Sequence, residues 1–517
     1  MDDLERAIRI VFSQDPAISV AVRNEATSVC DAIKNRPDCP RFCWEQFKLR
    51  TCLEVKFWCL QVLLAALPRS SIEDRADIRV GVLAWLRDII PSASEDVIVR
   101  NKVALVYVAL LKCDFPVDWP TAWADLVALL DSGPNLTDMF LRILVTFDQE
   151  IIAEEVPRTP EEKERGHAIK RSMREGDVLR LVECWFAILT TLRQSAPKLV
   201  SDCLKVVGLF SVWIEFSALA NDGFLNAICS LIAEAGPAAG EACDCLGAIL
   251  EKKMPADKKL AAFEQLRILQ RLECCVHRGS GDIALVEKEA ELFNTVGEIL
   301  LEAYADLRAG DGSDGINMAQ KAWSYMQEVS TYIFWFFSHS EYQIADSVEP
   351  FLTAFFAKVK GFVRDSEGGE ADIDQPEPCH VVGMDEVRPL LQQTLQKIIQ
   401  RLAYPDWFQH GDPNFEDDER HIAFLEFRRS LTKIFKRIFI IDEPIGFMFV
   451  QASVNQMTLN LAAVRPMEVE AVLQLYNQTG EIVKDVTPHL QANGALAGSF
   501  VQLVSCEALV QASDWLF

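Results

Sequence analysis

The chain is poor in strand signals. Apolar residues seldom alternate with polar ones and instead recur every three or four positions, which argues against a sheet-based fold. It also lacks the short motifs of catalysis. There is no G-x-S-x-G, no H-E-x-x-H and no Walker loop, and the seven histidines are dispersed. The glycines of Gly279-Ser280-Gly281 stand outside any strand–turn–helix context. Neither an enzyme nor a cofactor is therefore expected. Paired zinc ligands are missing as well: Cys243-x-Cys245, Cys274-Cys275-x-His277 and Cys379-His380 do not make two C-x2-C pairs. The 15 cysteines are odd in number and scattered, which excludes an obvious disulfide plan and leaves them as buried reduced thiols. The start, Met1-Asp2-Asp3-Leu4-Glu5, lacks the basic residues of a secretory signal. Long hydrophobic runs are interrupted by polar residues, which argues against a membrane span. The expectation is a soluble, intracellular chain.

Cations are scarce. With 51 Lys and Arg against 76 Asp and Glu, the net charge is −25, so the chain as a whole repels nucleic acid and acidic membranes and favours a basic protein partner. A local basic stripe can still act where the average is acidic.

What is present is apolar helix. Half of the residues are hydrophobic, and 517 residues exceed one compact core, so several domains or a repeat array are expected. Residues 99–123, "VRNKVALVYVALLKCDFPVDWPTAW", show the unit: Val103, Val106 and Leu110 with Ala104, Val108 and Leu111 form a broad apolar face. Pro116 excludes the helical conformation for Phe115 and ends the run. Similar helices are expected near 53–67, 136–154, 200–216, 240–252 and 286–306, at intervals of roughly 40–45 residues, the period of HEAT or armadillo repeats. The spacing thus predicts an all-α chain, a right-handed α-solenoid of helical hairpins in which each hairpin must stack on the next. N-terminal repeats are expected over 1–160, central repeats over 161–363, an acidic loop over 364–388 and further repeats over 389–517. Two more interruptions, 155–166 and 308–316, read as a charged insertion and a glycine-rich turn.

The helix 53–67, "LEVKFWCLQVLLAAL", resembles the N-terminal helix of importin-β-type transport receptors, whose core is similar to Val55-Lys56-Phe57-Trp58-Cys59-Leu60-Gln61-Val62-Leu63. Arg100-Asn101-Lys102 and the apolar run behind it resemble the next exportin signature. Met139–Asp148, Ile169–Glu175, "VVGLFSVWIEFSALAND" at 206–222 and "EACDCL" at 241–246 are similar to the tRNA-exportin (exportin-T) family of karyopherins. The likeness is dense over 40–260 and looser over 380–440. It implies a nuclear export receptor that carries tRNA with Ran in its GTP form, meets nuclear pore proteins and shuttles between nucleus and cytoplasm. Family members run to nearly twice this length, so the resemblance implies an N-terminal half that stops before a C-terminal arch. The alternative is a receptor or scaffold of the same class with protein cargo.

The resemblance implies Ran contacts in the first repeats, at the polar positions Lys56, Gln61, Asn101 and Lys102. Arg100-Asn101-Lys102 equally suits an internal ladder between repeats. Two sets of cations are candidate tRNA contacts. Lys170, Arg171 and Arg174 share one side of a helix. In "FLEFRRSLTKIFKRIF", 424–439, Arg429, Lys433, Lys436 and Arg437 form a stripe opposite the apolar face Phe424, Phe427, Leu431, Ile434, Phe435 and Ile438, with Arg428 beside it. The preceding acids, Asp412 and Glu416 to Glu419, are placed to neutralise that stripe instead. The acidic loop, which includes Glu367, Glu370, Asp372 and Asp374, either tunes binding or is an inert insertion.

Overall fold

Apolar faces repeating at helical spacing produce helices that must pair. The computed structural model describes residues 3–88, 95–130, 133–153, 156–279, 281–309, 313–363, 380–408, 418–459 and 464–482, with Gly498. It contains two compact units, Met1–Lys252 and Lys253–Phe517.

The first unit is built from α1 (Asp3–Phe12), α2 (Val20–Lys34), α3 (Cys39–Leu49), α4 (Leu53–Ala66), α5 (Ile72–Asp88), α6 (Val97–Asp114), α7 (Ala122–Val127), α8 (Pro134–Phe147), α9 (Pro160–Arg174), α10 (Asp177–Thr191), α11 (Pro197–Ser211), α12 (Phe216–Leu219), α13 (Asp222–Ala233) and α14 (Ala239–Leu250). The helices form two rows. One row runs α4, α6, α8, α11, α14, each packed on the next, and the other carries α3 against α5 and α10 against both α7 and α13. Aromatic rings link the rows through the core. Trp123 meets Phe147 at 5.0 Å, Phe147 stacks on Phe210 at 6.0 Å, and Phe210 meets Trp185 at 5.4 Å. These rings come from α7, α8, α10 and α11, so neighbouring hairpins share one core, as stacked repeats require.

The second unit holds α15 (Ala256–Gln265), α16 (Ile268–Glu273), α17 (Ile283–Arg308), α18 (Ser313–Phe337), α19 (Tyr342–Ser347), α20 (Glu349–Phe362), α21 (Met384–Leu402), α22 (Glu419–Ile441), α23 (Glu443–Leu459) and α24 (Pro466–Ile482). The long pair α17 and α18 forms its largest helix contact, and α17, α20, α22 and α24 pack in sequence. Gly297 lets α17 approach its neighbours: a Cβ there would stand 2.7 Å from Phe351 Cδ2 and 2.9 Å from Ile333 Cδ1.

The fold is all-α among the described residues, with one isolated bridge, Val363 to Val382. The helices expected at 53–67, 136–154, 200–216, 240–252 and 286–306 correspond to α4, α8, α11, α14 and α17. α6 ends at Asp114, with Phe115 in extended geometry before Pro116. No described helix is long and apolar enough to cross a membrane. The stretch 444–464 is free of charge, but Gln451, Ser453, Asn455 and Gln456 break its hydrophobicity. None of the 13 described cysteines forms a disulfide, and most are buried: Cys39, Cys43, Cys59, Cys203, Cys243, Cys245 and Cys275 are 2 % exposed or less.

The structure corrects the charged insertion expected at 155–166. Its residues from Pro160 onward are helix, the first half of α9. Thr159 accepts from the Glu162 amide while the Glu162 carboxylate accepts from the Thr159 amide, a capping box that starts a helix wherever it occurs. The turn at 308–316 is also shorter than expected, because α18 already begins at Ser313. Most of the acidic loop, 364–379 with Glu367, Glu370, Asp372 and Asp374, lies outside the described residues, as do Asp412 and Glu416.

Candidate functional site

Stacking brings residues about one repeat apart face to face. Along the α4–α14 row this produces a polar ladder. Lys56 donates to Glu95 at 2.7 Å, Lys102 to Gln61 at 2.6 Å, Arg100 to Asp138 at 2.8 Å and Arg142 to Asn101 at 2.8 Å. Lys102 also lies 4.9 Å over the Phe57 ring. All four residues singled out for Ran, Lys56, Gln61, Asn101 and Lys102, are thus members of the internal ladder, which was the alternative for Arg100-Asn101-Lys102. Gln61 and Asn101 remain exposed, and Lys56 is half-buried. Asn101, Asp138, Arg142, Gln149, Lys198 and Lys205 line a cleft of about 470 Å³ between α6, α8 and α11.

A second polar system runs along the C-terminal ends of the helices, where carbonyls lack intrahelical partners and the dipole is negative. Arg165 of α9 donates to three such carbonyls: Lys112 at 2.9 Å, Cys113 at 2.8 Å and Phe115 at 2.7 Å. Arg158 donates to Gln149 at 2.8 Å and to Ala153. Arg174 donates to the Trp213 carbonyl at 2.9 Å, and Lys252 to Ser211 at 3.2 Å and Val212 at 2.5 Å. Many of the scarce cations are therefore fixed by their own backbone.

This divides the first candidate tRNA set. Arg171 is exposed. Arg174 holds the end of α11 and lies 5.9 Å over the Trp213 ring. Lys170 is half-buried and faces Asp148, whose carboxyl is pushed up by burial against the opposing pull of Arg158 and Lys170. Lys163 and His167, not selected from the sequence, are exposed on the same helix. They lie eight and four residues before Arg171, a spacing that is visible once the segment is known to be helical.

In the second unit the α22 face separates as expected. Phe424, Phe427, Leu431, Ile434, Phe435 and Ile438 are each 2 % exposed or less. Arg429 and Lys433 are exposed and carry no ion pair to another described residue. Lys436 pairs with Glu481 of α24 at 2.8 Å, and Arg437 donates to the Thr353 carbonyl of α20. Arg428 does not flank the stripe. It is buried, pairs with Glu470 at 2.6 Å and sits 3.7 Å over the Tyr404 ring. Neutralisation by the loop before α22 finds no contact among its described members: Asp418 caps α22, accepting from the Arg420 and His421 amides, and Glu481 of α24 meets the stripe instead. An acidic cleft on the same unit had no counterpart in the sequence reading. Glu287, Glu291 and Asp346 line about 480 Å³ with Tyr342 and Asn294. Burial, then Glu349, Glu426 and Glu287, push the Asp346 carboxyl up to about 6.

Similarity to known proteins follows the first unit and extends beyond it. Residues 96–246, from α6 to α14, match the family model described as Exportin 1-like protein. The chain is 25 % identical to Exportin-T of Dictyostelium discoideum over 464 residues, 89 % of this chain and 40 % of that protein. It is 26 % identical to Exportin-T of Homo sapiens, over 89 % of this chain and 46 % of the human protein. It is 26 % identical to Exportin-T of Arabidopsis thaliana, over 93 % of this chain and 48 % of that protein. With an exportin 1-like region over residues 96–246 and similarity along about nine-tenths of its length, the chain is similar to exportin-T proteins and spans a little under half of their length.

Proposed function

We propose that the chain acts as a karyopherin-type nuclear export receptor that carries tRNA from nucleus to cytoplasm in a complex with Ran in its GTP form. The observation that carries this reading is the similarity to exportin-T over about nine-tenths of the chain, joined to an exportin 1-like region on stacked helical hairpins. Stacked repeats provide long faces without an enclosed active site, which suits a carrier better than an enzyme. In this proposal Ran docks on the α4–α6–α8 row at Lys56, Gln61, Asn101 and Lys102, and would compete with the ladder for their polar groups. The tRNA contacts are drawn from Lys170, Arg171 and Arg174 and from Arg429, Lys433, Lys436 and Arg437. Nuclear pore proteins are the transit partners.

The net charge of −25 favours a second reading, a basic protein as cargo. One pull-down separates the two. Labelled tRNA is offered to the full chain with Ran loaded with GTP, with GDP, or omitted. Retention that needs the GTP form supports the tRNA reading. Retention of Ran-GTP without tRNA leaves the protein-cargo reading, and retention of neither removes both.

A further inference from the structure

We infer that the outward face of α9 is a docking strip for the phosphates of a structured RNA, formed by Lys163, His167 and Arg171 and flanked by Lys170 and Arg174. This rests on the proposed RNA-carrier function and assigns it a place on the first unit.

Helical spacing aligns the strip. At 3.6 residues per turn these five positions fall within an arc of about 100°, and the eleven steps from first to last cover about 16 Å of helix axis. From Lys163 to Arg174 the sequence holds five Lys or Arg against one acid, Glu164, in a chain of net −25. The other side of the helix does the packing. Gly166, Ile169 and Met173 are buried, and a Cβ at Gly166 would come 3.1 Å from the Ile151 carbonyl oxygen. Three further ties fix the helix: Arg165 on three carbonyls of the α6 end, Glu162 paired with Lys112 at 2.8 Å, and the Thr159 capping box. α9 is thus held by one face and presents the other, so the strip is positioned before any ligand arrives.

The side chains of Lys163 and Arg171 have no hydrogen-bond or ion-pair partner among the described residues. Lys252 lies near Arg174 at the end of α11. Its ammonium is pushed down by burial, and further by the nearby Arg174, with Glu215 opposing. α9 exposes no large apolar side chain, so the strip lacks the anchor pocket on which peptide recognition usually depends. A ligand whose charge is carried on an evenly spaced backbone fits it instead.

The test uses the full chain with Ran-GTP. Lys163→Gln, His167→Gln and Arg171→Gln are combined, leaving Arg165, Lys170 and Arg174 in place. tRNA and an unrelated RNA duplex are titrated from about 50 to 200 mM salt, where each lost phosphate contact lowers the log–log salt slope by about 0.7–0.9. The expected result, counting the Lys163 and Arg171 charges as two phosphate contacts, is a slope reduced by about 1.4–1.8 and an affinity at least tenfold weaker at low salt, for both RNAs alike, because phosphates carry no sequence information. Arg429→Gln with Lys433→Gln serves as the comparator on the second unit. If the unsubstituted chain binds RNA and the α9 variant keeps its slope, the strip is wrong while the carrier reading stands. A slope lost only in the comparator moves the site to α22 and likewise overturns the strip. If the unsubstituted chain binds no RNA, the carrier reading fails and the strip with it. Should the triple variant lose its helical circular dichroism, Arg171→Gln alone is measured, with an expected slope change of one contact.

Discussion

Arg165 is the most exacting test of how α9 is held. Its guanidinium makes three hydrogen bonds to carbonyls at the end of α6, at 2.7–2.9 Å. Bonds from a charged donor contribute about 1.5–3 kcal/mol each when buried, and this group is partly open to water, so about 1 kcal/mol each is the better figure. Arg165→Met keeps most of the aliphatic stem and removes all three bonds, a loss of about 3 kcal/mol. The Lys112–Glu162 pair is 31 % and 40 % exposed, and adds under about 1 kcal/mol. The loss therefore falls on local docking rather than global stability, and about 3 kcal/mol corresponds to roughly a hundredfold change in the opening equilibrium. Hydrogen exchange of the full chain reads it directly: amides of α9 and of the last turn of α6 should exchange about a hundredfold faster, those of α1 and α2 at the original rate. Arg165→Lys, which can reach one carbonyl, should fall between. If the methionine variant changes α9 exchange by less than about threefold, the three-carbonyl anchor is not what holds the helix.

Two further outcomes follow from crowded charge. Asp114 is 1 % exposed and is met by Arg75 at 2.6 Å, with Arg79 at 3.9 Å, so Arg75→Ala should cost about 3–5 kcal/mol by leaving a buried carboxylate poorly compensated. Urea midpoints followed by tryptophan fluorescence check this, and adding Asp114→Asn should restore part of the loss. Asp346 is raised from 3.8 to about 6, so the folded state holds its proton more tightly than the unfolded one; its contribution is fully present below about pH 4 and is lost as pH rises through 6. Asp346→Asn should accordingly leave stability unchanged at pH 4 and raise it at pH 7.5, by about 1 kcal/mol once solvent screening is allowed for. A gain of equal size at both pH values would show that ionisation of Asp346, disfavoured by burial and then by Glu349, Glu426 and Glu287, is not the cause.

The repeat architecture was legible because its cause is local. Apolar spacing marks α4, α6, α8, α11, α14 and α17, and Pro116 marks a helix end, without reference to the rest of the chain. The start of α9 is equally local, since Thr159-Pro160-Glu161-Glu162 carries its own capping signal, but the density of charge around it masks the helix. The partners of the cations were not legible. Whether Lys102 meets Gln61, or Arg437 meets the carbonyl of Thr353, depends on which turn of one helix abuts which turn of the next. A helical wheel placed Arg428 next to Arg429 on the stripe, but one residue is a rotation of about 100°, enough to carry it into the core beneath Tyr404. The acidic cleft had no sequence signal, because Glu287 and Glu291 come from α17 and Asp346 from α19, which only tertiary packing brings together.

The buried cysteines give the first unit a set of internal clocks. Cys30 lies in α2, Cys43 in α3, Cys59 in α4, Cys203 in α11, Cys229 in α13 and Cys245 in α14, all buried. Burial pushes the thiols of Cys30, Cys203 and Cys245 up. The Cys43 thiol is drawn down by its hydrogen bond with Cys39, but the bond with Cys59 and burial outweigh this and take it up to about 12. A thiol reagent must reach the sulfur, so each of these buried sulfurs stays silent until its own hairpin opens. Labelling order along the chain would then time the loosening of successive repeats one by one, with no engineered probe, in a molecule whose stability is set by coupling between neighbours.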